Sequence, residues 1–259
     1  MIVMDVEQVR VKIEQRSPIE SASLGDIDWQ DFDGEGGRFI DCHFQEAQFG
    51  GTNFGSATFS RCRFTRCRFS HADLRDSVFD ECQFLEPADT AGCGFAFSDL
   101  RQAKFTKCNL SFCEFDRSDL FSIEMDACNL RGARFHRIDF SHAYSRKVVR
   151  TRATFRGCNL ELADLAEGRL AECDLTASRL READLSAADL SGGVLRDCDL
   201  FKTVLTEAKL EGADLRGAEI SGLSLMELAS FRGIKVYQSQ QHILLTGIGV
   251  EVYPEPGAV

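Results

Sequence analysis

The chain has 259 residues, 27% of them charged, and a formal net charge of −11, which argues against nucleic-acid binding and for a basic partner. No apolar run approaches the roughly 18 residues a membrane span needs, and the start lacks the basic-then-apolar order of a secretory signal, so a cytoplasmic protein is expected. The eleven cysteines include no Cys-x-x-Cys pair, and His43, His71, His136, His142 and His242 fall in no zinc-protease, nucleophile-elbow or phosphate-loop motif, so no catalytic, cofactor-binding or metal-binding residue is expected.

Residues 1–36 hold nine acids and three bases and are read as an N-terminal extension or cap. From Phe39 a large apolar residue recurs every fifth position through Phe44, Phe49 and Phe54 to Phe84. It restarts at Phe95 and runs in fives to Leu225, where only Ser145 and Arg150 break it. A small residue lies two positions upstream of most of them, as Cys42, Ala47, Ala57 and Cys62 do, and all eleven cysteines occupy such slots. A period of five suits neither a helix at 3.6 nor a plain strand at 2. It suits a short strand that turns a corner each time, with the small and the large residue pointing inward. Four such sides close a coil of about 20 residues, and about ten coils stacked at roughly 4.8 Å make a rod near 48 Å long. The expected fold is all-β, a quadrilateral β-helix over 37–236 whose cysteines act as small buried hydrophobes.

Three interruptions follow in chain order. Phe84 to Phe95 is a step of eleven, read as ten plus one, with Leu85 to Gly92 as a loop (85–92) carrying Glu86, Pro87, Asp89 and Thr90. Residues 141–152 keep the count but lose the pattern, and Arg150 at an inward slot would bury an unpaired charge. That stretch, with Tyr144, Arg146, Lys147, Arg150 and Arg152, is expected to leave the coil as a second loop. Residues 237–259 abandon the fives. Ser239 and Gly247 read as the caps of a short helix and Ile248, Val250 and Val252 as a terminal strand. This apolar tail is expected to cap the last coil and to dimerise through Tyr237, His242, Ile243, Leu244, Leu245, Ile248 and Val250.

Charge is unevenly spread. Counting four units per coil straight through puts Phe105, Met125 and Leu165 on one face; that face and the one through Leu100 sum to −3 each, while those through Phe95 and Leu110 sum to +1 and +2. Duplex DNA carries one charge per about 1.7 Å, far more than this rod, so charge mimicry of DNA alone is weak.

The segment ADLSAADLSGGVL (183–195) resembles the A(D/N)LXX consensus of the pentapeptide-repeat family, whose right-handed quadrilateral β-helix the resemblance implies. CQFLEPADTAGCGF (82–95), the 15-residue step from Phe140 to Phe155, and the tail GIKVYQSQQHILLTGIGVEV are similar to the Qnr-type members. These protect DNA gyrase and topoisomerase IV from quinolones, which gives antibiotic resistance. The resemblance implies a non-catalytic, dimeric protein that binds gyrase or topoisomerase IV through the two loops, partly as a DNA mimic. Self-immunity against a natural gyrase toxin and an interaction scaffold unrelated to topoisomerases are the alternatives.

Overall fold

A computed structural model describes residues 1–86, 89–145 and 148–253. Each five-residue unit forms one side of a square coil, and successive coils pair as parallel strands. On the first wall the inward residues stack in the order Ile19, Phe39, Phe59, Phe79, Phe105, Met125, Phe155, and their flanking residues carry the pairing on through Asp174, Val194 and Asp214. The second wall stacks Phe44, Phe64 and Phe84, the third Phe49, Phe69 and Phe95, and the fourth begins with Gly34, Phe54 and Leu74. Corners form because the second residue after the central one takes a left-handed backbone, as Ser56 does at φ 56°, while Ala57 N–H donates to Phe54 O at 3.0 Å. This is type II turn geometry, and non-glycine residues there cost roughly 1–2 kcal/mol each. Hydrogen bonds to the coils on either side offset that cost.

The tube interior is a set of ring columns. Phe59, Phe79 and Phe105 stack at 4.7 and 4.6 Å with interplanar angles of 7° and 6°, so ring spacing and coil rise agree. All eleven cysteines are free and buried. Several donate their thiol one coil back: Cys62 Sγ lies 3.5 Å from Phe39 O and Cys82 Sγ 3.3 Å from Phe59 O. Thr52, Ser118 and Ser178 do the same for Trp29, Phe95 and Phe155. A small polar residue in this slot therefore satisfies a buried corner carbonyl.

The coil begins earlier than expected, inside the segment read as an extension. Ile19 pairs beneath Phe39, and Leu24 and Trp29 are buried in the same lining. Gly34 disguises the period, because a Cβ there would come within 2.6 Å of the Phe54 ring. Ahead of this coil, β1 (Ile2–Val3) pairs in parallel with Ala22–Ser23, and α1 (Val6–Glu14) closes the tube end by burying Val9. Asp5 and Gln8 cap α1 reciprocally at 2.8 and 3.1 Å, a capping box.

Both loops correct the expected register. Phe95 stacks on Phe69 at 4.6 Å, and Arg68 bridges Gly94, so the eleven-residue step replaces one of five and inserts a whole extra segment. Farther on, Ile123 pairs with Ala153, and the residues between them include an antiparallel hairpin of Ser141–Ser145 with Val148–Thr151. Leu165 consequently lies over Phe135 on the third wall, not over Met125. The straight-through charge count therefore mixes walls beyond Phe140. Arg150 is exposed on the hairpin, as the cost of burying its charge requires.

The C-terminal expectations need three corrections. Ser239 lies inside a 3-10 turn (Gln238–Gln240) and does not cap the helix α2 (Gln241–Gly247) that follows. Ile248, Val250 and Val252 form no strand among the described residues and are exposed. Gly247 is the last residue of α2 and Ile248 its cap; the glycine is needed for closeness, since a Cβ would sit 2.5 Å from Leu223 O. What anchors the segment is Gln240. Its Nε2 donates to Leu215 O and Ala218 O, both at 2.9 Å, and its Oε1 accepts from Tyr237 N at 2.7 Å and Gly217 N at 3.2 Å.

Candidate partner-binding site

The two loops leave the rod from diagonally opposite corners. The first lies between the second wall (Phe84) and the third (Phe95); the hairpin lies between the fourth (Phe140) and the first (Phe155). A partner touching both must therefore reach around the rod.

In the first loop, Glu86 Oε1 accepts from Thr65 Oγ1 at 2.9 Å, and Asp89 Oδ1 accepts from Arg66 at 2.9 Å. These carboxylates, expected at an interface, hold the loop against the coil below; Asp89 N also donates to Glu86 O at 3.0 Å. Thr90 is exposed, and Pro87 lies outside the described residues. In the hairpin, the Tyr144 backbone lies in the first strand, Arg150 and Arg152 are exposed, and Arg146 and Lys147 lie outside the described residues. Arg152 ties the hairpin base to the coil, its N–H donating to Phe140 O at 3.2 Å and its carbonyl accepting from Ser122 N at 2.7 Å.

Of the expected dimer residues, Leu244 is the buried residue of α2, at 9% exposure, and Ile243 and Leu245 are half-buried. Tyr237, His242, Ile248 and Val250 are exposed.

The fourth wall carries an acidic row, Asp33, Asn53, Asp73, Asp99 and Asp119, stacked one per coil. Much of this charge serves the fold. Asp73, Asp99 and Asp119 each accept from the backbone N–H two residues on, at 3.1, 3.2 and 3.1 Å, which shapes the corner. Arg75 and Arg101 pair with Asp73 and Asp99, and the hydrogen bond from Arg75 holds the Asp73 carboxyl below its ordinary range. Among the described residues no cluster of three or more His, Cys, Asp or Glu could hold a metal ion.

One feature escaped the sequence reading. On the corner between the third and fourth walls, His71 stacks on Phe97 at 5.1 Å and the Arg117 guanidinium lies 5.4 Å over the same ring. Phe97 is 46% exposed. Its signal was a phenylalanine two places past Phe95, at a corner slot where the repeat puts polar residues. Phe201, under Arg181 at 4.8 Å, is a second case.

Comparison with known proteins covers most of the chain. Eight copies of the pentapeptide-repeat signature match, over residues 39–80, 92–120, 151–181, 178–217 and 194–227. A quinolone resistance pentapeptide repeat protein, QnrB96 of Scandinavium goeteborgense, is 28% identical over 106 residues, 41% of this chain and 50% of that protein, so the matched stretch spans half of the relative's length. Among solved structures, a trypsin-treated form of QnrB1, a plasmid-mediated fluoroquinolone resistance protein, superposes with a TM-score of 0.73 at 26% identity, covering 82% of this chain and 97% of that one. Full-length QnrB1 gives 0.60 at 26% identity, over 76% and 92%. With its repeats, its square coil and the near-complete coverage of a solved relative, the chain belongs to the pentapeptide-repeat family and is similar within it to the Qnr quinolone resistance proteins.

Proposed function

We propose that this protein is a non-catalytic binding protein that engages a type II DNA topoisomerase, gyrase or topoisomerase IV, and relieves it of a quinolone-type poison. The observation that carries the proposal is the superposition covering 97% of QnrB1, a fluoroquinolone resistance protein. The first loop and the hairpin offer projecting contacts, and pinning by Thr65 and Arg66 lowers the entropy the first loop would lose on binding. Shape outweighs charge in this reading, because the aspartate row is partly spent on corner hydrogen bonds and on Arg75 and Arg101. Two copies join through the exposed side of the C-terminal segment (Tyr237, His242, Ile248, Val250), while Leu244 serves the cap. The protein works in the cytoplasm, where its eleven free thiols stay reduced.

The test is gyrase supercoiling with ciprofloxacin, titrated with the full chain and with a variant lacking residues 85–92. Rescue by the full chain and loss in the deletion are expected. No rescue at any concentration refutes the proposal, and rescue from a natural gyrase toxin but not from ciprofloxacin redirects it to self-immunity. Light scattering on an Ile248→Asp, Val250→Asp double variant tests the dimer, which is expected to fall to monomer mass while remaining folded.

A further inference from the structure

The third wall carries a trough beside the first loop. Its floor is made of small side chains, Ser70, Gly94 and Ala96, and Ala91 and Gly92 of the loop form one side. The volume enclosed is about 460 Å³. The loop side is firm: Gly92 N donates to Phe112 O at 3.1 Å, and a Cβ at Gly92 would meet Ser111 O at 2.6 Å, so this part of the loop is pressed onto the next coil. Gly94 faces open space, with nothing within 4 Å of a Cβ placed there. Past Ser70 and Ala96 the chain reaches the corner where His71, Phe97 and Arg117 stack, which gives the trough an aromatic and cationic far rim.

Two of the three charged side chains lining this trough are already paired. Arg66 is held by Asp89 and lies 3.7 Å from Glu46, and Glu114 is held by Arg134 at 2.9 Å. Arg68 also lines the trough, and its exposed guanidinium has no hydrogen-bond or ion-pair partner among the described residues. A guanidinium presents a planar fork that matches a carboxylate. We propose that the trough receives a carboxylate-bearing loop of a protein partner, its acid on Arg68 and a neighbouring apolar side chain against Ala96 and Phe97. A nucleic acid fits poorly, because the paired carboxylates of Asp89 and Glu114 flank the single free cation and the chain as a whole repels polyanions. The inference is independent of which protein the partner is.

Two labelled peptides that differ in one acid test it by fluorescence anisotropy with the full chain: acetyl-Gln-Phe-Asp-Gln-amide and its neutral counterpart acetyl-Gln-Phe-Asn-Gln-amide. The acidic peptide is expected to bind about tenfold more tightly, the ordinary worth of a charge-assisted contact. That preference should shrink as salt rises from about 0.05 to about 0.5 M. Arg68→Gln is expected to erase it, and Arg179→Gln, which removes another exposed arginine on the second wall, to leave it intact. Phe97→Ser should weaken both peptides. Equal binding of the two peptides by the unaltered chain, or a preference that survives in Arg68→Gln, overturns the inference whether or not the chain binds a topoisomerase.

Discussion

Replacing Gln240 by Ala isolates what holds the C-terminal segment on the rod. The amide makes four hydrogen bonds, to Leu215 O, Ala218 O, Gly217 N and Tyr237 N, and the side chain is only 7% exposed. Each buried backbone group left without a partner costs about 1–3 kcal/mol. Water reaches some of them once the end loosens, so about 3–5 kcal/mol in total is expected. At about 1.4 kcal/mol per factor of ten, local opening becomes roughly 100- to 3000-fold more frequent. In a solenoid each coil contacts only its neighbours, so the loss should stay at one end. Amide hydrogen exchange read by mass spectrometry is the assay. Peptides covering 215–218 and 237–247 should exchange faster, while those around Phe59 and Phe79 should not change. Unaltered exchange at 215–218, or equal acceleration along the whole rod, would refute the reasoning.

Three further outcomes are expected. Phe79→Ala removes a ring with 0% exposure from between Phe59 and Phe105 and should cost about 3–5 kcal/mol, seen as a calorimetric Tm well below that of Phe97→Ala; equal losses from the two would contradict the stacked core. The hydrogen bonds from Arg216 and Arg196 hold Asp214 well below the usual carboxylate range, so its contribution is complete above the unfolded value of about 3.9 and is lost as pH falls further toward the folded value. Thermal melts between pH 6 and 3 should fall less steeply for Asp214→Asn, and parallel curves would count against this pair. All eleven thiols are buried, and burial pushes Cys173 and Cys198 up to about 12; because the lining shuts the reagent out, Ellman's reagent should leave the folded protein unlabelled and titrate all eleven thiols in denaturant, and fast labelling of the native chain would mean that the lining is open.

Much of the architecture was legible in the residues because the period of five is local. An inward slot accepts Phe39 or Leu185 and rejects Arg150 whatever the rest of the chain does, so the tube, its lining and the existence of two excursions follow from spacing and from the cost of a buried charge. The cysteines could be assigned to the lining for the same reason. The first coil stayed hidden because Gly34 replaces a ring where the Phe54 ring fills the space, a compensation between residues far apart in the chain.

What only the tertiary structure decided is which coil each unit rests upon. A loop absorbs any number of residues outside the tube, so Phe84 to Phe95 reads equally as ten plus one or as five plus an insertion until Phe95 is seen lying on Phe69. Every contact between coils inherits that choice: the diagonal placement of the loops, the stack of His71, Phe97 and Arg117, the free guanidinium of Arg68 in its trough, and the grip of Gln240 on Leu215 and Ala218. The repeat determines which way a side chain points; stacking determines which neighbour it meets.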